Sequence, residues 1–75
     1  MNKQRRQKID ILLSVLDESK GKITTILEEE QEAKEGIPES MEEKIYDAEE
    51  CLDYLQEVID GLSEVMDNLL SAKEV

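Results

Sequence analysis

Met41–Lys73, MEEKIYDAEECLDYLQEVIDGLSEVMDNLLSAK, decides the fold, because it carries a long heptad pattern with no polar interruption. With Ile45 at position a, the a and d positions are Met41, Ile45, Ala48, Leu52, Leu55, Ile59, Leu62, Met66 and Leu69, spaced alternately by three and four residues. Position g adds Cys51, Val58, Val65 and Ala72, which broadens the narrow seam of a coiled coil toward the wider face of a bundle. A helix of this length extends about 50 Å at 1.5 Å per residue. Such a rod needs a partner face, since most of the stability of an amphipathic helix comes from covering its apolar stripe.

The partner lies upstream. Gly36-Ile37-Pro38-Glu39 punctuates the chain: Gly36 suits the left-handed residue that ends many helices, and Pro38 pushes Ile37 out of the helical region. Ser40 with Glu43 three residues on reads as a capping box, which starts the second helix at about Met41. Further back, residues 9–16, IDILLSVL, are apolar on more than one side, with Ile9, Leu12, Leu13 and Leu16 on one face and Ile11 and Val15 on another. In DESKGK, residues 17–22, Ser19 and Lys20 fill the stripe and Gly21 costs about 1 kcal/mol relative to Ala, so a bend or weak spot is expected there. Ile23, Ile26 and Leu27 resume the stripe, and EEEQEAKE carries the helix to Glu35.

A short connection between helices places them antiparallel and adjacent. The expected fold is therefore all-α, an antiparallel, coiled-coil-like two-helix hairpin. Its first helix covers about residues 5–35, its loop 36–40 and its second helix about 41–73, and two such hairpins are expected to dimerise into a four-helix bundle.

Length and composition support self-association. A chain of 75 residues makes one domain with a thin core. One cysteine allows no disulfide within the chain, and the absence of histidine removes the usual zinc-finger ligand sets. With no Trp, no Phe and two Tyr, the core must be aliphatic. Charged residues reach 39%, a level seen in coiled coils and in disordered chains; the sustained heptads favour the former. Neither a signal-peptide h-region nor an apolar run of membrane-spanning length is present, which points to a cytoplasmic protein with no membrane partner.

Charge is sorted along the chain. Glu28–Asp53 holds twelve acids against Lys34 and Lys44, a net of -10, while the rest of a chain of net charge -11 sums to -1. The acidity continues along the second helix as a ladder at positions b and f, Glu50, Asp53, Glu57, Asp60, Glu64 and Asp67. Like charges at such spacing destabilise a helix by about 0.2–0.5 kcal/mol per pair. A solubilising surface explains the ladder most simply. Mimicry of nucleic acid is the sharper explanation, although one charge per about 5 Å of helix is sparser than the duplex value of about 1.7 Å. A calcium or magnesium site is disfavoured, because a helical ridge lacks the oxygen-rich turn that wraps such an ion. Direct nucleic-acid binding by Lys3, Arg5, Arg6 and Lys8 is opposed by the net negative charge. In an antiparallel hairpin these cations instead fall beside Glu64, Asp67 and Glu74.

No catalytic, cofactor or metal motif is present, so a binding or assembly role is expected rather than an enzyme. Tyr46 and Tyr54 fall off the stripe among carboxylates, as contact residues or as rings lying over their own helix. Cys51 reads as a small core hydrophobe, since Asp47, Glu49 and Glu50 oppose a thiolate. The expected partner-binding surface is Glu42, Glu43, Tyr46, Asp47, Glu50, Asp53, Tyr54 and Glu57. Ile11, Val15, Val58, Val65 and Leu70 are expected to make the hairpin's open end apolar all round and to drive self-association.

Arg5-Arg6 leading into Ile9, the run Glu29-Glu30-Gln31-Glu32-Ala33, the loop Ile37-Pro38-Glu39-Ser40-Met41 and Ala48-Glu49-Glu50 before the repeating Leu and Ile together resemble a family of short acidic helical proteins encoded by prophages of Gram-positive bacteria. That family has no assigned activity, so the resemblance implies no residue roles. It implies a small phage protein made inside a bacterial host cell, of a kind that often modifies a host or defence protein. Two readings follow. One is an inhibitor that presents an acidic surface to a basic, nucleic-acid-binding site of a protein; the other is a homo-oligomeric assembly protein whose acids merely solubilise it.

Overall fold

A computed structural model describes all residues, Met1–Val75, as two helices, α1 (Lys3–Glu35) and α2 (Glu42–Glu74), with no strand. They pack against each other as a hairpin about 59 × 15 × 10 Å in extent. Every a and d residue of α2 from Ile45 to Leu69 is half-buried. Met41, outside the helix, is 38% exposed and falls off the seam.

The matching seam on α1 is Arg6, Ile9, Leu13, Leu16, Lys20, Ile23, Leu27, Lys34 and, in the loop, Ile37, which again alternates by three and four apart from the exposed Glu30 between Leu27 and Lys34. Arg6 thus takes position a on α1. Leu12, expected in this seam, lies at position g and is 52% exposed. α1 is unbroken through Gly21: Thr24 and Thr25 hydroxyls donate back to the Lys20 and Gly21 carbonyls, and Lys20 stays half-buried in the seam. A lysine can do this because its methylene stem covers apolar surface while the ammonium reaches water.

The loop departs from expectation in two details. Gly36 closes α1 at φ -84° and ψ -3°, a right-handed conformation, with its N–H donating to the Ala33 carbonyl at 3.2 Å and the Ile37 N–H donating to the Lys34 carbonyl at 3.0 Å. Tight i to i-3 bonds therefore satisfy the last carbonyls, and no left-handed residue is needed. The Ser40–Glu43 capping box does not form. The Met41 N–H donates to the Pro38 carbonyl at 2.9 Å, and Met41 becomes the residue before the first helical turn, with no side-chain cap. That turn moves the start of α2 one residue past the register the box requires. Glu42 and Glu43 in the first turn favour the positive end of the helix dipole instead. At the other terminus, Asn2 caps α1 by accepting from the Arg5 N–H at 2.8 Å.

Two ion pairs fix the register. Lys73 pairs with Asp10 at 2.6 Å and Lys34 with Glu49 at 3.2 Å. They are 24 residues apart on each helix, so the helices run antiparallel with no slip between them. Leu13 then falls level with Leu69, Leu16 with Met66, Ile23 with Ile59 and Leu27 with Leu55. The cations at the start of α1 do not meet Glu64, Asp67 or Glu74. Arg6 Nε instead donates to the Lys73 carbonyl at 3.0 Å, where a cation suits the negative end of α2.

Two helices alone make a shallow core. Ile9 is the one buried residue of the chain, at 9% exposure. The surface area is 5866 Å², against about 4,700 Å² for a compact monomer of this mass.

Candidate functional site

Around an α-helix the heptad positions follow the order a, e, b, f, c, g, d, so each seam has an e edge and a g edge. In an antiparallel pair the two e edges meet on one side of the molecule and the two g edges on the other. Both cross-helix ion pairs join a position a to a position e, Lys73 to Asp10 and Lys34 to Glu49, and so mark the e side. That side is polar, with Asp17, Thr24, Gln31, Gln56 and Ser63 along it. The g side carries Leu12, Ile26, Cys51, Val58 and Val65, with Val15 and Tyr54 flanking at position c. Its large apolar side chains stand well exposed, Leu12 at 52%, Val15 at 53% and Tyr54 at 63%.

The expected self-association residues are therefore sorted by side rather than gathered all round the open end. Val15, Val58 and Val65 share the g side; Ile11 lies on the back of α1 at position f, and Leu70 lies on the e side. Leu12 and Ile26, which belong with the first group, were assigned to the seam by sequence. A heptad phase set by Arg6, Lys20 and Lys34 would have placed them at the edge, but these cations read as interruptions rather than as seam residues.

The expected partner-binding residues come together. Glu42, Glu43, Tyr46, Asp47, Glu50, Asp53, Tyr54 and Glu57 are all exposed on the first half of α2. Glu43, Glu50 and Glu57 form a ridge at position f, with Tyr46 and Asp53 on one flank and Asp47 and Tyr54 on the other. Tyr46 is 66% exposed and Tyr54 63% exposed. Of the two lysines among these acids, Lys34 is engaged with Glu49, and Lys44 forms no ion pair. The carboxylates are strung along the surface, and no three converge on a cation-sized point.

Where the acidic ridge meets the g side, an open depression of about 490 Å³ is lined by Asp47, Glu50, Cys51, Tyr54, Leu55 and Val58. It is an apolar floor with carboxylates on its rim. Cys51 is half-buried beside the seam, as expected of a small hydrophobe.

No known protein family, curated protein or solved structure matches this chain. No helix is long and apolar enough to cross a membrane.

Proposed function

We propose that this chain is a non-enzymatic protein-binding module, phage-encoded and acting in the cytoplasm of a bacterial host, that works as a homodimer and blocks a basic surface of a host or defence protein. The observation that carries this reading is the exposed ridge of Glu43, Glu50 and Glu57 flanked by two open tyrosines, at the end of the rod where the net charge reaches -10. Aromatic rings set among charges are the residue types that dominate contact energies at interfaces, and concentrated negative charge speeds encounter with a basic partner. Carboxylates can stand in for phosphates, so a basic site of a nucleic-acid-binding protein is the partner class proposed, although one charge per about 5 Å of helix is sparser than a duplex presents.

The test is capture from a bacterial lysate by the immobilised protein and by a variant combining Glu42→Lys, Glu43→Lys, Asp47→Lys and Glu50→Lys. Capture that is lost in the variant, fades as salt is raised and is displaced by added duplex DNA supports the reading. Capture that the variant retains in full rejects it. The assembly reading, in which the acids only solubilise an oligomer, has one observation in its favour, the exposed apolar g side, and predicts that substitutions at Val58 or Val65 abolish activity while the acids are dispensable.

A further inference from the structure

The apolar g side runs from the level of Leu12, near the open end, to the level of Cys51, near the loop. It is continuous along α2 through Cys51, Tyr54, Val58 and Val65, on a rod whose opposite side is bridged by ion pairs. The excess of surface over a compact globule of equal mass is about 1,200 Å², and a stable dimer needs each partner to cover about 800 Å². One occupied side removes about two thirds of that excess, and the e side, bridged by ion pairs, offers Leu70 as its one exposed aliphatic side chain.

We propose that the g side is the interface with a second copy of this chain, and that the two hairpins lie antiparallel, loop end against open end. This rests on the dimer clause of the function proposed above and adds the face and the orientation to it. Charge selects the orientation. Side by side in the same sense, two loop ends of -10 each would sit together; turned end for end, they lie at opposite poles. The pattern of the face fits the same symmetry. An isologous interface must be complementary to itself about a two-fold axis. The midpoint of the stripe falls near Gly61 on α2, about level with Ser19 on α1, where the side chains are small. A two-fold axis across the rods lays each helix on its own copy, so Val65 comes opposite Val58 of the second copy, Leu12 opposite its Ile26 and Cys51 opposite its Ala72. Lys8, at position c beside the g edge, arrives at about the level of Glu29 of the second copy. The depression floored by Leu55 and Val58 and rimmed by Asp47 and Glu50 thus faces the turn from Asn68 to Ala72 of the second copy's α2. Glu43, Glu57 and Tyr46 remain outside the interface, available to another partner.

The native cysteine gives a direct test. In the antiparallel arrangement the two Cys51 side chains are about 22 residues of rise apart, roughly 33 Å, far beyond the Cα separation of about 4.4–6.8 Å that a disulfide spans. Residue 72 of one copy lies near Cys51 of the other. Within one hairpin, residues 51 and 72 are about 31 Å apart along α2 and cannot join. Mild oxidation of the Ala72→Cys variant should give a covalent dimer whose peptide map joins residue 72 to Cys51, while the unmodified chain should give none. A Cys51–Cys51 dimer from the unmodified chain would leave the homodimer standing and overturn the orientation. An Ala72→Cys variant that sediments as a dimer yet forms no such link would overturn it too. Sedimentation of the unmodified chain as a monomer throughout the micromolar range would overturn both the interface and the dimer clause. The double variant Val58→Glu, Val65→Glu should raise the dissociation constant at least about 100-fold, and an unchanged constant would move the interface elsewhere.

Discussion

The two sides of this hairpin share one seam and one backbone geometry, yet they are built from opposite chemistry. On the e side, Asp10 and Glu49 reach across to Lys73 and Lys34, and the edge positions between them are polar apart from Leu70. On the g side nothing polar crosses, and valine, leucine, isoleucine and tyrosine stand in solvent. A lone hairpin gains from its seam alone and should tolerate polar residues equally on both edges. That one-sided distribution is the feature the proposed interface on the g side accounts for.

The seam comes first in any attempt to break that comparison, because both sides depend on it. Ile59 is half-buried at position a, level with Ile23. Ile59→Asp puts a carboxylate between two apolar rows and should cost on the order of 3 kcal/mol, enough to unfold a domain this small. The expected readout is loss of the helical circular-dichroism signal, with the exposed neighbour change Asp60→Asn leaving it in place. Next is a matched pair on the two sides. Val58→Lys and Gln56→Lys install the same residue two positions apart, one at position g and one at position e. The first should lower stability by about 1–2 kcal/mol and abolish the dependence of melting temperature on protein concentration. The second should change it by less than about 0.5 kcal/mol and leave that dependence intact. Equal effects would mean that the two sides are equivalent in solution. A smaller effect is expected of the e-side ion pairs. Asp10→Asn removes the partner of Lys73, whose side chain is 34% exposed against 53% for Asp10. With that exposure the loss should be about 0.5–1 kcal/mol at low salt and vanish at high salt.

How much of this was legible in the chain differs between the helices. In α2 the apolar rows are uninterrupted from Ile45 to Leu69, so the seam could be read residue by residue, and the short Gly-Ile-Pro-Glu connection gave the antiparallel sense. In α1, Arg6, Lys20 and Lys34 occupy position a. A rule that equates seam with apolar misses them, because it ignores the apolar stems of long cations. Losing those three positions loses the phase of the heptad. Leu12 is then drawn into the seam, Gly21 is read as a bend or weak spot, and the extra apolar residues are counted by which end of the rod they occupy rather than by which side. The acidic surface was read directly, since charge at exposed positions needs no phase. The helix ends were read least well: two backbone bonds, from Gly36 and Met41, do what a left-handed glycine and a serine cap were expected to do.

The finest comparison lies between two glycines. Gly21 and Gly61 are both inside unbroken helices, and a Cβ added at either meets nothing within 4 Å. Helix propensity alone gives each Gly→Ala change the same gain, about 0.4–1 kcal/mol, through a less flexible unfolded chain and a better helix former. Their positions differ. Gly21 is at position b, on the outer surface of α1 toward the polar side, and nothing proposed here approaches it. Gly61 is at position c, between Val58 and Val65 and close to the midpoint of the apolar side, where a second copy would press most closely. Gly21→Ala should therefore raise the melting temperature by the full propensity gain at every protein concentration. Gly61→Ala should match it in dilute solution, where the hairpins are apart, and fall short of it as concentration rises, because an added methyl group at the crossing point holds the helices apart. If the two curves stay superimposed across the range, the small residues at the centre of the g side have no neighbour, and the asymmetry of the two sides must be explained by an occupant that avoids the middle of the face.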